Sequence, residues 1–226
     1  MSGIAAVVPV KALLETKARL SGVLEPEARA EVALWMLERV VGAVRDSRAV
    51  EHIAVVSPDA RALKHAVGLG TVALRQEHGK LNQGLALGRE WACAMGAEAL
   101  LILLGDLPRL IGADVRDVVE LAARATDCPG KVVIAPDRHD AGTNVLLLRP
   151  PDCLSFLFGR NSFARHGALA RERGLDLSVY RSPGTAFDLD WPADLEELRA
   201  VDAALPRALA DAGAPAERRG HARGGI

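Results

Sequence analysis

Short, almost wholly apolar runs alternate with helix-length amphipathic segments along the first two thirds of the chain. IAAVVPV (4–10), HIAVVS (52–57) and ALLILLGD (99–106) are continuous apolar runs, the pattern of strands buried on both faces of a parallel sheet. Between the first two, EPEARAEVALWMLERVVGAVRD (25–46) places Pro26 in a first turn flanked by Glu25 and Glu27, and sets Val32, Trp35, Val40 and Val44 near helical spacing. DARALKHAVGLG (59–70), LNQGLALGREWACAMGA (81–97) and GADVRDVVELAARAT (112–126) predict three further helices. Strand, helix, strand, helix in this order implies an open α/β sheet with right-handed crossovers.

The rhythm changes after residue 130. KVVIAPD, TNVLLLRP, LSVYRS and AFDLD read as strands with SFARHGALARERG as the main helix between them, so a smaller, partly antiparallel portion is expected over one end of the sheet. The fold class expected is therefore α/β, a mainly parallel sheet flanked by helices with antiparallel β structure in the C-terminal third. Residues 1–205 are expected to form one domain. Residues 206–226 turn Ala-, Gly- and Arg-rich without apolar periodicity, which predicts a frayed helix and a flexible tail.

AFDLDWPADL (186–195) sets Asp188 and Asp190 between Phe187, Leu189 and Trp191. A two-residue period sends both carboxylates to one face and the apolar side chains to the other. Either this is a solvated edge strand or a cation sits between the charges. Asp194 is explained by the helix that Pro192 starts, as a carboxylate facing first-turn N–H groups.

Composition narrows the classes. Half of the 226 residues are hydrophobic and a quarter charged, with 28 Lys plus Arg against 29 Asp plus Glu and a net charge of −1. That balance argues against a nucleic-acid binder working by bulk charge. Cys93, Cys128 and Cys153 form no CxxC pair and are expected to be small core residues in a reducing cytoplasm. No apolar run has membrane-span length, and MSGIAAVVPVK lacks the basic segment of a signal peptide. A cytoplasmic protein is expected, with no membrane partner and, on base rates, a homodimer as its oligomeric state.

Ligands of open α/β sheets bind beyond the carboxyl ends of the strands. The first strand runs into VPVKALLETKARL, presenting Lys11, Lys17 and Arg19. Such a loop is either a solvated basic turn or a seat for a polyphosphate. LLILLGDLPRL delivers Asp106 at the same edge, as a turn cap or a cation ligand. Joined with Asp188 and Asp190 it makes three hard oxygen donors, a set that suits Mg²⁺ holding phosphates. EHGKLNQGL puts Lys80 and Asn82 on a loop before a helix, where they could meet a base or ribose. APDRHDAGTNVLLL and FGRNSFARHG bring Gly142, Thr143, Gly159 and Ser162 to turns, with Ser162 at a helix N-terminus where an anion could sit. Each is also an ordinary turn. His139 and His166 read as surface or packing residues, and no GxxxxGK[ST] or GxGxxG loop is present.

VPVK-x5-K-x-RL, KLNQGL, GDLP, APDR-x3-GTN-x-LLL, FG-x2-SF-x2-H and DLD-x-P-x-DL occur in that order over roughly residues 4 to 198. In this the chain resembles the guanylyltransferases of deazaflavin coenzyme (coenzyme F-420) biosynthesis, the 2-phospho-L-lactate guanylyltransferases and their phosphoenolpyruvate-using relatives. The resemblance implies a nucleotidyltransferase-like (GT-A-like) fold. It also implies condensation of GTP with a three-carbon phosphorylated acid, phosphoenolpyruvate, 2-phospho-L-lactate or 3-phospho-D-glycerate, to a guanosine diphospho-acid and pyrophosphate. A second enzyme, a deazaflavin transferase, would accept that product.

By the same likeness Asp106, Asp188 and Asp190 hold Mg²⁺, with two ions expected, and Thr143, Gly159 and Ser162 receive the acid. Lys11, Lys17 and Arg19 contact the triphosphate, and Lys80 and Asn82 sit near the nucleotide. No general base is expected, because the attacking group is already an anion. Trp191 stands where a small Thr is expected, which bears on the outline of the pocket. Three rivals share parts of the pattern. A molybdenum-cofactor-type guanylyltransferase would need an LAGG-type opening loop, where this chain has VPVK. A sugar transferase could use a D-x-D pair but would not call for the Lys11–Arg19 loop. A nucleotide-binding regulator without catalysis would not need all three carboxylates.

Overall fold

The structure, a computed structural model, describes residues 3–77, 80–200, 202, 205 and 209. The chain runs β1 (Ile4–Pro9), two 3₁₀ turns (Leu13–Glu15 and Ala18–Leu20), α1 (Pro26–Ser47), β2 (His52–Ser57), α2 (Ala60–Gly68), β3 (Val72–Arg75), α3 (Leu81–Ala94) and β4 (Ala99–Leu103). It continues with α4 (Gly112–Ala123), β5 (Lys131–Pro136), β6 (Thr143–Arg149), α5 (Ser162–Glu172), β7 (Asp176–Val179), a one-turn helix α6 (Pro183–Ala186) and α7 (Pro192–Arg199). The alternating periodicity of the sequence is thus realised in one seven-stranded sheet, ordered β3-β2-β1-β4-β6-β5-β7.

β1 pairs in parallel with β2 and β4, β2 with β3, and β5 with β7, whereas β6 is antiparallel to both β4 and β5. The antiparallel part expected of the last third is present, but it widens the same sheet instead of lying over its end. Within β1 the pleat divides the apolar side chains between two cores. Ala6 and Val8 pack with Val40, Val44, Val115 and Val118 of α1 and α4, while Ala5 and Val7 pack with Leu85 and Ala92 of α3 and Ala170 of α5. Helix α3 comes so near the sheet that a Cβ on Gly88 would stand 2.7 Å from Val7 Cγ1, so only glycine fits that crossing.

Two segments differ from expectation. β3 is a short edge strand with half-exposed side chains, and VALR carries too little apolar signal to stand out. AFDLD is not a strand. Residues 187–190 belong to no strand. Phe187 and Leu189 bury into a separate cluster with Leu20, Val32, Met36 and Leu195, so a two-residue burial period arises without a sheet partner.

The cysteines also depart from the expected core placement. Cys93 and Cys128 are exposed and Cys153 is half-buried, all three as free thiols, because the first lies on the outer side of α3 and the second in the turn before β5. No helix among the described residues is long and apolar enough to cross a membrane. The flexible tail expected at 206–226 lies outside the described residues except for Leu209, which is buried and accepts from Arg199 through its carbonyl.

Candidate active site

The carboxyl ends of β1 and β4 lie side by side in parallel, so the residues that follow them share one edge of the sheet. After β1 the chain makes its two 3₁₀ turns and is fastened from both flanks. Asp59, which caps α2 by accepting from Arg61 and Ala62, also accepts from the Leu13 N–H at 3.0 Å. The buried guanidinium of Arg29 in α1 donates to the carbonyls of Thr16, Leu24 and Leu14 at 3.2, 3.0 and 3.4 Å. Three carbonyls satisfied by one rigid fork hold this loop in place. Lys17 then adopts a left-handed backbone, φ 51°, and points its ammonium inward.

Lys17 Nζ donates to Asp106 Oδ2 at 2.7 Å and to Asp190 Oδ1 at 2.9 Å, with its side chain only 5% exposed. Arg19 Nη1 reaches the other oxygen of Asp190 at 2.8 Å and lies over the Trp191 ring, 4.6 Å from its centroid. Lys11 is exposed but close enough to act on Asp190 through its charge. The backbone completes the junction, since the Leu189 N–H donates to the Asp106 carbonyl at 3.2 Å. Asp106, Asp188 and Asp190, predicted from separate stretches, are therefore one cluster, and Lys17 and Arg19 belong to it.

Its electrostatics are uneven. Burial, followed by the charges of Asp106 and Asp190, pushes the Asp188 carboxyl up to about 6. Burial would raise Asp190 too, but Lys17, Arg19 and Lys11 outweigh it and hold that carboxyl below its ordinary value. Burial likewise works against the Lys17 charge, and Asp106 and Asp190 overcome it, so its pKa rises. Asp106 Oδ1 is buried with no hydrogen-bond partner. A buried carboxylate oxygen without a donor is costly.

That combination fits a hard divalent cation. Carboxylates are its preferred donors, and it would satisfy Asp106 Oδ1 and relieve the pressure on Asp188. Among the described residues no group of three or more His, Cys, Asp or Glu is placed to hold a metal ion as it stands, and Lys17 Nζ lies between Asp106 and Asp190.

The DLD segment has its own supports. Asp194 Oδ2 accepts from the backbone N–H groups of Asp190 and Trp191 at 2.8 and 2.7 Å, the helix-start role expected of it. Phe187 is clasped by two guanidiniums, Arg109 at 3.7 Å and Arg138 at 4.5 Å from the ring centroid. Both pair with Glu197 of α7, and Arg138 also donates to the Asp188 carbonyl at 3.4 Å. Trp191 is more than half exposed at the rim.

A second group of predicted residues gathers around the loop before α5. Gly159 has φ +120°, a conformation that disfavours any side chain, and its carbonyl accepts from the Ser162 N–H at 3.1 Å. The Phe163 N–H donates to the Ala141 carbonyl at 3.3 Å, tying this loop to the turn before β6. Thr143 begins β6 and is buried, with Oγ1 3.0 Å from His166 Nδ1.

Asn82 lies in the first turn of α3, not on the preceding loop. Its amide clamps the Phe158 backbone, Nδ2 donating to the carbonyl at 3.1 Å and Oδ1 accepting from the N–H at 3.0 Å. Lys80 caps that helix and is exposed, its N–H donating to Gln83 Oε1 at 2.9 Å.

Several residues of this architecture carried no functional reading in the sequence: Arg29, Asp59, Arg109, Arg138 and His166. Only Arg138 and His166 stood in quoted motifs, the first as the last letter of APDR and the second as the last letter of FG-x2-SF-x2-H.

A model of CofC-like guanylyl transferases matches residues 4–201, nearly all of the described chain. The chain belongs to that family. Among relatives of this CofC-like protein, the phosphoenolpyruvate guanylyltransferase of Sphaerobacter thermophilus is 48% identical over 194 residues, covering 85% of this chain and 91% of the relative. The 2-phospho-L-lactate guanylyltransferase of Methanothermobacter thermautotrophicus is 37% identical, with 85% and 82% covered. Among solved structures, a nucleotidyl transferase from Methanothermobacter aligns with a TM-score of 0.62 at 19% identity, over 88% of this chain and 97% of that one. The structural likeness establishes a nucleotidyltransferase-like fold, and the family establishes a guanylyltransferase.

Proposed function

We propose that this enzyme joins GTP to phosphoenolpyruvate, forming a guanosine diphospho-acid and pyrophosphate, in the cytoplasm and as a step of deazaflavin coenzyme biosynthesis. The supporting observation is the cluster at the sheet edge. Asp106 and Asp190 share the Lys17 ammonium beside Asp188, and Asp106 Oδ1 is left unpartnered. The choice of acid rests on relatives named phosphoenolpyruvate guanylyltransferase at 48% and 47% identity. A second reading, 2-phospho-L-lactate, is favoured by the Methanothermobacter relative of that name.

In the reaction a phosphate oxygen of the acid attacks the α-phosphorus of GTP. A new P–O bond forms, the α–β bridging P–O bond breaks, and pyrophosphate leaves with the electron pair. The attacking oxygen is anionic from the start, so no proton has to be removed. The difficulty is to bring two anions together.

Lys11, Lys17 and Arg19 lie on one braced loop and would draw the triphosphate to the sheet edge, with Lys80 approaching from the start of α3. Asn82 serves the pocket by fixing Phe158. Thr143, Gly159 and Ser162 would seat the acid at the start of α5, where the helix dipole favours an anion. Asp106, Asp188 and Asp190 would hold Mg²⁺, two ions in our reading, which when bound supply charge neutralisation at the phosphate oxygens.

Incubation of the protein with GTP, Mg²⁺ and each acid in turn, with a deazaflavin transferase to capture the product, tests the assignment by product mass. The guanosine diphospho-adduct of phosphoenolpyruvate is expected. Pyrophosphate release with 2-phospho-L-lactate alone would exchange the first reading for the second, and release with neither would remove both.

A further inference from the structure

His166 belongs neither to the carboxylate cluster nor to the residues expected to touch substrate, yet it is completely buried and uses both ring nitrogens. The Leu157 N–H donates to Nε2 at 2.9 Å, and Nδ1 lies 3.0 Å from Thr143 Oγ1. An amide N–H needs a lone pair, so Nε2 carries no proton and the neutral ring carries it on Nδ1. Nδ1–H therefore donates to Thr143 Oγ1. The Thr143 hydroxyl keeps its own proton, for which the described residues show no acceptor. The ring is locked in this orientation by Phe158, edge-on with 5.0 Å between centroids.

The two ends of this chain are the two segments that carry the acid-binding residues. Thr143 opens β6, and Leu157 leads into Gly159 and Ser162. Asn82 fixes the next residue, Phe158, from α3. We propose that His166 is a positioning residue for the acid substrate: it sets the spacing between Thr143 and the 157–162 loop and turns the Thr143 hydroxyl proton toward the bound anion. This rests on the assignment of Thr143, Gly159 and Ser162 to the acid. It adds a directional relay, backbone N–H to imidazole to hydroxyl to anion, in which each donor is already oriented before substrate arrives.

Steady-state kinetics of full-length variants test it. His166→Asn retains a polar atom near the Nδ1 position and His166→Gln one near Nε2, so each breaks one end of the relay. Each is expected to raise KM for the acid roughly tenfold or more, with KM for GTP within about twofold of wild type. A purely structural histidine would lower thermal stability and leave that ratio unmoved, and such a result would overturn the proposal. Parallel increases in both KM values would overturn it as well.

Thr143→Val and Ser162→Ala separate this inference from the one beneath it. If they raise KM for the acid while the His166 variants do not, only the relay falls. If they leave it unchanged, the acid site and the relay fall together. ¹⁵N NMR of the wild-type histidines requires no variant. A neutral ring protonated on Nδ1, shifting when the acid is added and not with GTP alone, is expected; an Nε2-protonated ring would end the argument.

Discussion

The ammonium of Lys17 lies 2.7 Å from a carboxylate oxygen of Asp106, a residue 89 positions away in the chain. The same ammonium holds Asp190 at 2.9 Å, so one buried cation bridges two of three clustered acids. Removing one partner of such a group leaves the others buried and uncompensated, at roughly 3 kcal/mol. Lys17→Met is expected to lower thermal stability most strongly in EDTA. Mg²⁺ should restore part of the loss, because a ligand bound only by the folded state stabilises it by mass action. Melting curves across a Mg²⁺ titration measure this. A deficit that Mg²⁺ does not change would remove the metal assignment from these carboxylates.

Asp188 has two acidic neighbours and no cation bonded directly to it among the described residues. Its charge is therefore unfavourable, and the proposed Mg²⁺ would offset that cost. Asp188→Asn should raise the melting temperature in EDTA while reducing GTP-dependent pyrophosphate release by at least about a hundredfold, a trade between stability and activity. Asp190→Ala should lose activity as well but be destabilised, since it removes the Arg19 partner and one of the two partners of Lys17. Equal turnover in either variant would mean that the chemistry is elsewhere.

The buried strands were legible because β1, β2 and β4 are apolar on both faces, and Pro26 marked a helix start through its own backbone chemistry. The edge strand β3 was not, since an exposed VALR looks like any loop. FDLD shows how a correct burial pattern can suggest the wrong element. Phe187 and Leu189 do alternate inward, but they pack on α1 and α7 instead of joining a ladder. Asp106, Asp188 and Asp190 could be proposed from their residue types at strand ends. The Lys17 bridge could not, because pairings across 89 and 173 residues leave no local trace. The same holds for Arg29, whose three carbonyl acceptors belong to a loop that has no regular pattern.

Arg29 gives the clearest test of how that loop is held. Its guanidinium spans carbonyls of residues 14, 16 and 24, a fork that an ammonium cannot reproduce. Arg29→Lys should leave at least one buried carbonyl without a donor, costing about 1–3 kcal/mol. The loop that carries Lys17 and Arg19 would loosen with it. KM for GTP is expected to rise severalfold while KM for the acid changes little. Lower stability with an unaltered KM for GTP would show that the loop keeps its shape without this support.

His166 should leave a mark on the pH dependence of folding. Burial first, and then the charge of Arg165, lower its pKa from 6.5 to about 4, while Thr143 and Leu157 hold the ring in its neutral form. Above pH 6.5 the histidine is neutral in both folded and unfolded chains and has no effect on the slope. Between 6.5 and 4 the unfolded chain takes up a proton that the folded one refuses, so stability falls as pH falls. The difference approaches roughly 3 kcal/mol at the lower end. Below that the folded ring is protonated as well and gives up the Leu157 N–H bond. Denaturant melts at half-unit steps from pH 7.5 to 4.5 would reveal the slope, and His166→Asn should flatten this component of it. An identical slope in wild type and variant would assign the acid sensitivity to other groups and deny this histidine its buried, neutral state.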